Sequence, residues 1–162
     1  GLHVLIPLGR QLTFDQGRQL GEFLATVIVR RLPDIATVER ALPKRKGRVY
    51  VDFLQNGHGK LIVAPYSVRP MPGATVSTPL SWSEVKRGLD PAKFTIRTVL
   101  TRLKRRKSDP MATVVDESPD LLGAVERLST TMHSNGIGEP STLVGPWRRS
   151  DAIAAAHSRH VL

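Results

Sequence analysis

Apolar residues recur along this chain in two rhythms. Leu20, Phe23, Leu24, Val27 and Ile28 return at intervals of three and four, which sets them on one face of a helix. Thr13-Phe14-Asp15-Gln16 precedes them with the spacing of a capping box, in which a Thr hydroxyl and a Gln amide three residues apart satisfy each other's backbone N–H groups. Pro33 ends the run, so the pattern predicts a helix over about residues 14–31. Val49, Val51 and Phe53 alternate instead with Tyr50, Asp52 and Leu54, the period of a strand. Asn56-Gly57 then opens a turn before Lys60-Leu61-Ile62-Val63-Ala64, which predicts an antiparallel hairpin with Asp52 opposite the Val49, Val51 and Phe53 row. "HVLIPL", residues 3–8, reads as a buried strand with His3 and Leu5 on one face and Val4, Ile6 and Leu8 on the other.

Weaker signals complete the outline. A short strand is expected within Asp34–Glu39, and Lys44 to Gly47 form a basic turn. Pro65, Pro70, Pro72, Gly73 and Pro79 make an extended loop. "PLSWSEVKRGL" predicts a short helix capped by Ser81 or Ser83 and broken at Asp90-Pro91; "KFTIRTV" is a short β-branched run, and "RTVLTRLKRRK" a basic helix. Ser118-Pro119 starts an amphipathic helix carrying Leu121, Leu122, Val125 and Leu128. Beyond Ser129 the texture turns Gly/Ser/Thr/Pro-rich, so residues 1–129 are read as the folded body and 130–162 as a partly disordered tail. No internal repeat is visible, and the order of elements indicates an α+β layer structure with an antiparallel or mixed sheet and flanking helices.

Charge changes what this fold is expected to meet. The 162 residues suit one domain. A net charge of +10, from 24 Lys and Arg against 14 Asp and Glu, goes with 40% hydrophobic residues. This describes a folding chain with a basic surface, either a polyanion binder or simply a solvated exterior. The absence of cysteine excludes disulfides and Cys-ligated zinc. No apolar run reaches the roughly 18 residues of a membrane span, and no signal peptide opens the sequence. A soluble, cytoplasmic protein with no membrane partner is expected. The opening "GLHVLIPLG" has no initiator Met and enters a strand pattern at once, which suggests a start in the middle of a larger unit.

Within that outline a few residues carry chemistry. Asp52 is a lone acid on an apolar strand, a satisfied polar residue near a sheet edge or a metal ligand. Its face is bordered by Lys44, Arg45, Lys46 and Arg48 before it and by Asn56, His58 and Lys60 after it. A carboxylate in a basic groove suits a divalent cation on a phosphate substrate, Mg2+ or Mn2+, but such ions want further carboxylates and no D-x-D strand pair is present. His3 reads either as a strand residue facing a neighbouring layer or as a ligand contact, and His133, His157 and His160 as incidental surface histidines. Arg69, on the Pro-rich loop, is solvated or holds a triphosphate with its fork of donors. Arg102 to Lys107 contain five cations in six residues, among them Lys104, Arg105 and Arg106, either a solvated helix face or, together with Lys44, Arg45, Lys46 and Arg48, a contact to DNA phosphates. No P-loop, G-x-G-x-x-G, nucleophile elbow or HExxH occurs.

Taken in order, "GLHV", "GRVYVDFLQNGHGK", "VAPYSVRPMPGATVSTPLSWSEV" and "LDPAKFTIRTVLTRL" resemble the primase-polymerase domain of bacterial DNA ligase D, over about residues 1–128. The resemblance implies an archaeo-eukaryotic primase fold and template-directed transfer of a nucleotide from an NTP or dNTP to a primer end in non-homologous end joining. It implies that Asp52 is the third metal carboxylate, that His3 and Arg69 contact the triphosphate, and that Gln55 sits at a nucleotide-contact position held by Arg or Gln in the family. Asn56 follows as a positional residue. The implied partners are DNA ends or gaps, nucleotide, Ku, and ligase and nuclease domains, in a bacterial nucleoid setting. The family's D-x-D motif lies before the Ser-Gly-Gly segment whose His is matched by His3, so this chain is expected to lack it and to be catalytically incomplete alone. An exposed sheet edge would then favour a homodimer. The alternatives are a non-catalytic nucleic-acid-binding accessory module and a decayed polymerase remnant.

Overall fold

The computed structural model of this chain describes residues 1–134. In chain order these form α1 (Phe14–Arg31), β1 (Ala36–Thr37), β2 (Val49–Tyr50), α2 (Ile96–Arg105), α3 (Ala112–Asp116) and α4 (Leu121–Ser134). Single 3-10 turns lie at Leu42–Arg45, Trp82–Glu84 and Pro91–Lys93. The chain divides into two compact units, one made of Gly1–Pro7 and Leu61–Glu117, the other of Leu8–Lys60 and the chain from Ser118 onward.

The second of these units is built on α1. The Gln16 N–H donates to the Thr13 hydroxyl at 3.2 Å and the Thr13 N–H to the Gln16 side-chain oxygen at 2.9 Å, the predicted capping box. Asp15 in the first turn and Arg30 and Arg31 in the last complement the helix dipole. The apolar face buries Leu20, Phe23 and Val27 against Leu8, Leu12 and Leu24, with Val125 and Leu128 of α4 closing the cluster. Burying a Phe or Leu of this kind contributes about 1.5–3 kcal/mol, so this cluster is the unit's main source of stability. Asp120 starts α4, its Oδ1 accepting the Gly123 N–H at 2.9 Å. The helix runs on through Ser129 to Ser134. The rest of the expected tail, with His157 and His160, lies outside the described residues.

After α1 the chain turns at Pro33 into β1, whose Ala36 and Thr37 are buried. β1 pairs in parallel with β2, Ala36 opposite Val49 and Thr37 opposite Tyr50. Residues 38–48 make the crossover that a parallel pair requires. Lys46 and Gly47, both left-handed at φ 51° and 77°, turn that crossover back toward the sheet. The α+β character is as expected, but the sheet is not: it has two parallel strands, and no antiparallel hairpin forms between Val49–Leu54 and Leu61–Ala64. The reason lies at Asp52, whose Oδ1 captures the Leu54 N–H at 2.9 Å. A side chain that bonds the backbone two residues on competes with a ladder and starts a turn. Leu61 is left 89% exposed.

The other unit is mostly irregular. "HVLIPL" has strand alternation but no ladder partner among the described residues, and Leu2, Val4, Leu5 and Ile6 are exposed rather than buried. The Pro-rich segment is a loop, as expected, and folds back on itself: Val68 bridges Val76, and Thr75 bridges Thr95. α2 is the basic helix expected over "RTVLTRLKRRK", and it begins one residue earlier, at Ile96 inside the β-branched "KFTIRTV". Thr95 and Thr98 cap each other's N–H groups at 2.9 and 3.3 Å, and Val99 is buried at 4% exposure. Cap chemistry and one buried contact outweigh a propensity difference of a few tenths of a kcal/mol per residue. The expected helix after Pro79 is a single 3-10 turn led by Ser81. Among the described residues no helix is long and apolar enough to cross a membrane.

Candidate functional site

β2 carries the chain to Asp52, which is exposed. Its Oδ1 accepts the Leu54 N–H at 2.9 Å and the Tyr50 hydroxyl at 3.4 Å. The Arg45 guanidinium lies over the Tyr50 ring, 4.5 Å from its centroid. Burial, and then the Asp52 carboxylate, push the Tyr50 phenol above its usual value, so it faces Asp52 as a protonated donor. Gln55 is exposed on the same turn. The turn rests on α1 at a glycine: a Cβ at Gly21 would meet Asn56 Nδ2 at 2.8 Å and Phe53 Cβ at 3.3 Å. Asn56 Nδ2 donates to the Phe53 carbonyl at 2.9 Å, and His58 sets its ring edge-on to Phe14, with centroids 5.4 Å apart.

A divalent cation needs several oxygen ligands. Among the described residues no three His, Asp or Glu side chains gather closely enough to hold one. Asp52 is a single carboxylate with one oxygen already engaged by the backbone, so these residues do not fit a complete cation site.

His3 and Arg69 belong to the other compact unit, apart in the division from Asp52 and Gln55. Arg69 is held by its backbone, its N–H donating to the Thr75 carbonyl at 2.7 Å and its own carbonyl accepting the Met71 N–H at 2.8 Å. Its side chain is exposed, as is that of His3.

The basic clusters divide on inspection. Arg45 donates to the carbonyls of Glu39 and Arg40 at 3.1 and 2.7 Å. Arg48 donates to those of Arg45 and Pro33 at 3.1 and 3.4 Å. Both arginines pin the crossover between β1 and β2, whereas Lys44 and Lys46 stand exposed. In the second cluster the sequence reading overlooked Glu84. Arg102 Nη2 and Arg106 Nη1 donate to its Oε2 at 2.7 and 2.9 Å, and Arg102 Nη1 pairs with Oε1. The Ser81 N–H and hydroxyl reach Oε2 at 2.8 Å each. These donors, the Arg102 hydrogen bond first, hold the Glu84 carboxyl far below the usual carboxylate range. Two signals pointed to this network: the Ser81-x-x-Glu84 capping box, and Arg102 and Arg106 four apart on one helical face. Ser81, Glu84, Arg102, Arg105, Arg106, Lys107 and Ser108 line a cavity of about 560 Å³; Lys104 is exposed and stands outside it.

Residues 1–111 match the LigD primase-polymerase domain family. The chain is 38% identical over 107 residues to the bifunctional non-homologous end joining protein LigD of Bacillus subtilis, covering 65% of this chain and 18% of that protein. It is 28% identical over 132 residues to the multifunctional non-homologous end joining protein LigD of Pseudomonas aeruginosa, covering 82% of this chain and 15% of that one. The LigD protein of Mycolicibacterium smegmatis is 28% identical over 126 residues, covering 78% and 15%. The chain thus spans less than one fifth of the length of these relatives.

Proposed function

The chain belongs to the LigD primase-polymerase domain family, and from that premise we propose that it is part of a DNA repair polymerase of non-homologous end joining. In this reading it contributes contacts to an incoming NTP or dNTP and to the phosphates of a DNA end or gap. The family match over residues 1–111 carries the proposal, because Asp52, His3, Gln55 and Arg69 all fall inside it. Arg69 supplies a fork of donors to a triphosphate, and His3 a ring N–H to the same oxygens. Gln55 is a further nucleotide contact, and Lys44 and Lys46 are contacts to the DNA backbone. Asp52 is the one metal carboxylate these residues offer, so the remaining ligands for Mn2+ or Mg2+, and with them nucleotidyl transfer, come from outside the described residues. Ku and the ligase and nuclease activities are partners on the same family premise.

A second reading, a non-catalytic nucleic-acid-binding module, draws on one observation: no metal-holding group of side chains forms among the described residues. The two separate by titrating the chain with a fluorescent NTP and a labelled DNA end, with and without Mn2+. The polymerase reading expects Arg69→Ala and His3→Ala each to weaken NTP binding about tenfold or more, the equivalent of one hydrogen bond between charged groups. It also expects Asp52→Asn to abolish any strengthening by Mn2+. DNA binding with no NTP binding at all selects the accessory module. Template-directed extension by residues 1–134 alone would overturn the proposal that the remaining metal ligands come from outside the described residues.

A further inference from the structure

The cavity beside α2 holds cations in two different states. Arg102 and Arg106, one helical turn apart, both close on Glu84. Arg102 is further tied to the Pro79 carbonyl at 3.3 Å and lies over the Phe94 ring, 5.6 Å from its centroid. Arg106 Nε reaches the Ser108 carbonyl at 3.4 Å, drawing the segment after the helix against its last turn. Arg105 and Lys107 line the same cavity and have no acidic partner among the described residues. Four cations therefore face one carboxylate, and that carboxylate already accepts from two guanidiniums and a serine.

Cations gather at helix C-termini for an ordinary reason, the negative end of the dipole. That accounts for Arg105 in the last turn of α2. It does not account for Lys107 and Ser108, which lie beyond the helix yet line the same concavity. The lining also contains no aromatic or aliphatic side chain on which a base could stack. Such a surface meets phosphate oxygens and leaves bases unread. We propose that this cavity is a phosphodiester-binding site for the nucleic-acid backbone, distinct from the Asp52 and Arg69 positions. Arg105 and Lys107 contact the phosphate oxygens and the Ser108 hydroxyl donates to them. Arg102 and Arg106 are positioning cations, held in place by Glu84. The site rests on the reading of this protein as one that works on DNA, and it adds a sequence-independent hold on the duplex.

The experiment is a salt titration of a fluorescein-labelled blunt duplex of arbitrary sequence, followed by anisotropy, beside a parallel titration with labelled NTP. The variants are Arg105→Ala/Lys107→Ala and, as a control cation on the same helix outside the cavity, Arg97→Ala. Losing two phosphate contacts should make the slope of log K against log[salt] shallower by about 1.8. Arg97→Ala should change it by less than half as much, and NTP affinity should hold in both variants. An unchanged slope in the double variant, or an equal change in Arg97→Ala, overturns the site while leaving the NTP reading intact. Failure of the unaltered chain to bind either DNA or NTP overturns the proposed function and this site with it.

Discussion

Glu84 concentrates more of the molecule's polar geometry than any residue the sequence reading singled out, and its protonation should be visible in stability. Its side chain is 29% exposed and meets two guanidiniums and Ser81. Because its folded-state pKa is depressed below 4.5, its contribution is fully present above the unfolded carboxylate value and fades as pH falls below it. Glu84→Gln should therefore cost about 2 kcal/mol at pH ~7, the lower part of the range for hydrogen bonds to charged groups because the site is partly solvated. The gap between the two proteins should narrow as pH drops through about 4 toward 3. Urea midpoints across that range test this, and a gap independent of pH would show that the ion network adds nothing. Asp52 gives a sharper separation of roles. Asn retains an acceptor for the Leu54 N–H, so Asp52→Asn should leave stability within about 0.5 kcal/mol, while Asp52→Ala loses the turn bond and about 1 kcal/mol. Equal losses in the two would mean that the carboxylate charge, not the turn, is what the fold uses.

At the level of elements, the close approach of α1 to the turn after β2 makes the helix a support for Asp52 and Gln55. Gly21→Ala should gain up to about 1 kcal/mol of helix propensity. It also forces Asn56 off the Phe53 carbonyl and crowds Phe53, so the two effects nearly cancel in stability while the turn is displaced. The expected result is a denaturation midpoint close to that of the parent with weakened NTP binding; unchanged binding would separate the helix from the site. α1 itself was legible in the sequence from cap to Pro33, and α4 from the period of Leu121, Leu122, Val125 and Leu128, because a 3.6-residue period is a local signal, although α4 starts behind Asp120 rather than at Ser118-Pro119. The hairpin was misread because alternation through Val49, Val51 and Phe53 says that a strand is compatible but not which partner exists. Asp52, read as a site residue, was also the residue that ended the strand. The basic helix expected over residues 97–107 was legible as well, and only its start was missed by one residue, because the Thr95 and Thr98 cap lies inside a β-branched run. The Glu84 network went unseen because its members are 18 and 22 residues apart and meet only in three dimensions.

For the molecule as a whole, a net charge of +10 is too coarse to locate a nucleic-acid surface, because some of its arginines are engaged within the fold. Arg45 and Arg48 each donate to two backbone carbonyls, satisfying acceptors of the crossover that has no strand of its own. Lys44 and Lys46, from the same five residues, are exposed. A guanidinium suits the first task because its planar fork bonds several acceptors at once, and an ammonium on a flexible stem suits the second. The four cations should accordingly report on different quantities. Lys44→Ala/Lys46→Ala should leave the denaturation midpoint within about 0.5 kcal/mol of the parent, yet reduce the salt slope of duplex binding by up to about 1.8. Arg45→Ala/Arg48→Ala should lower stability by about 2–3 kcal/mol, since four carbonyl hydrogen bonds at roughly 0.5–1.5 kcal/mol each are lost and water restores part of them. Paired denaturation and anisotropy titrations on the two double variants decide the matter. If the arginine pair alters the salt slope and not the stability, these side chains serve the ligand rather than the crossover, and the +10 charge is a binding surface throughout.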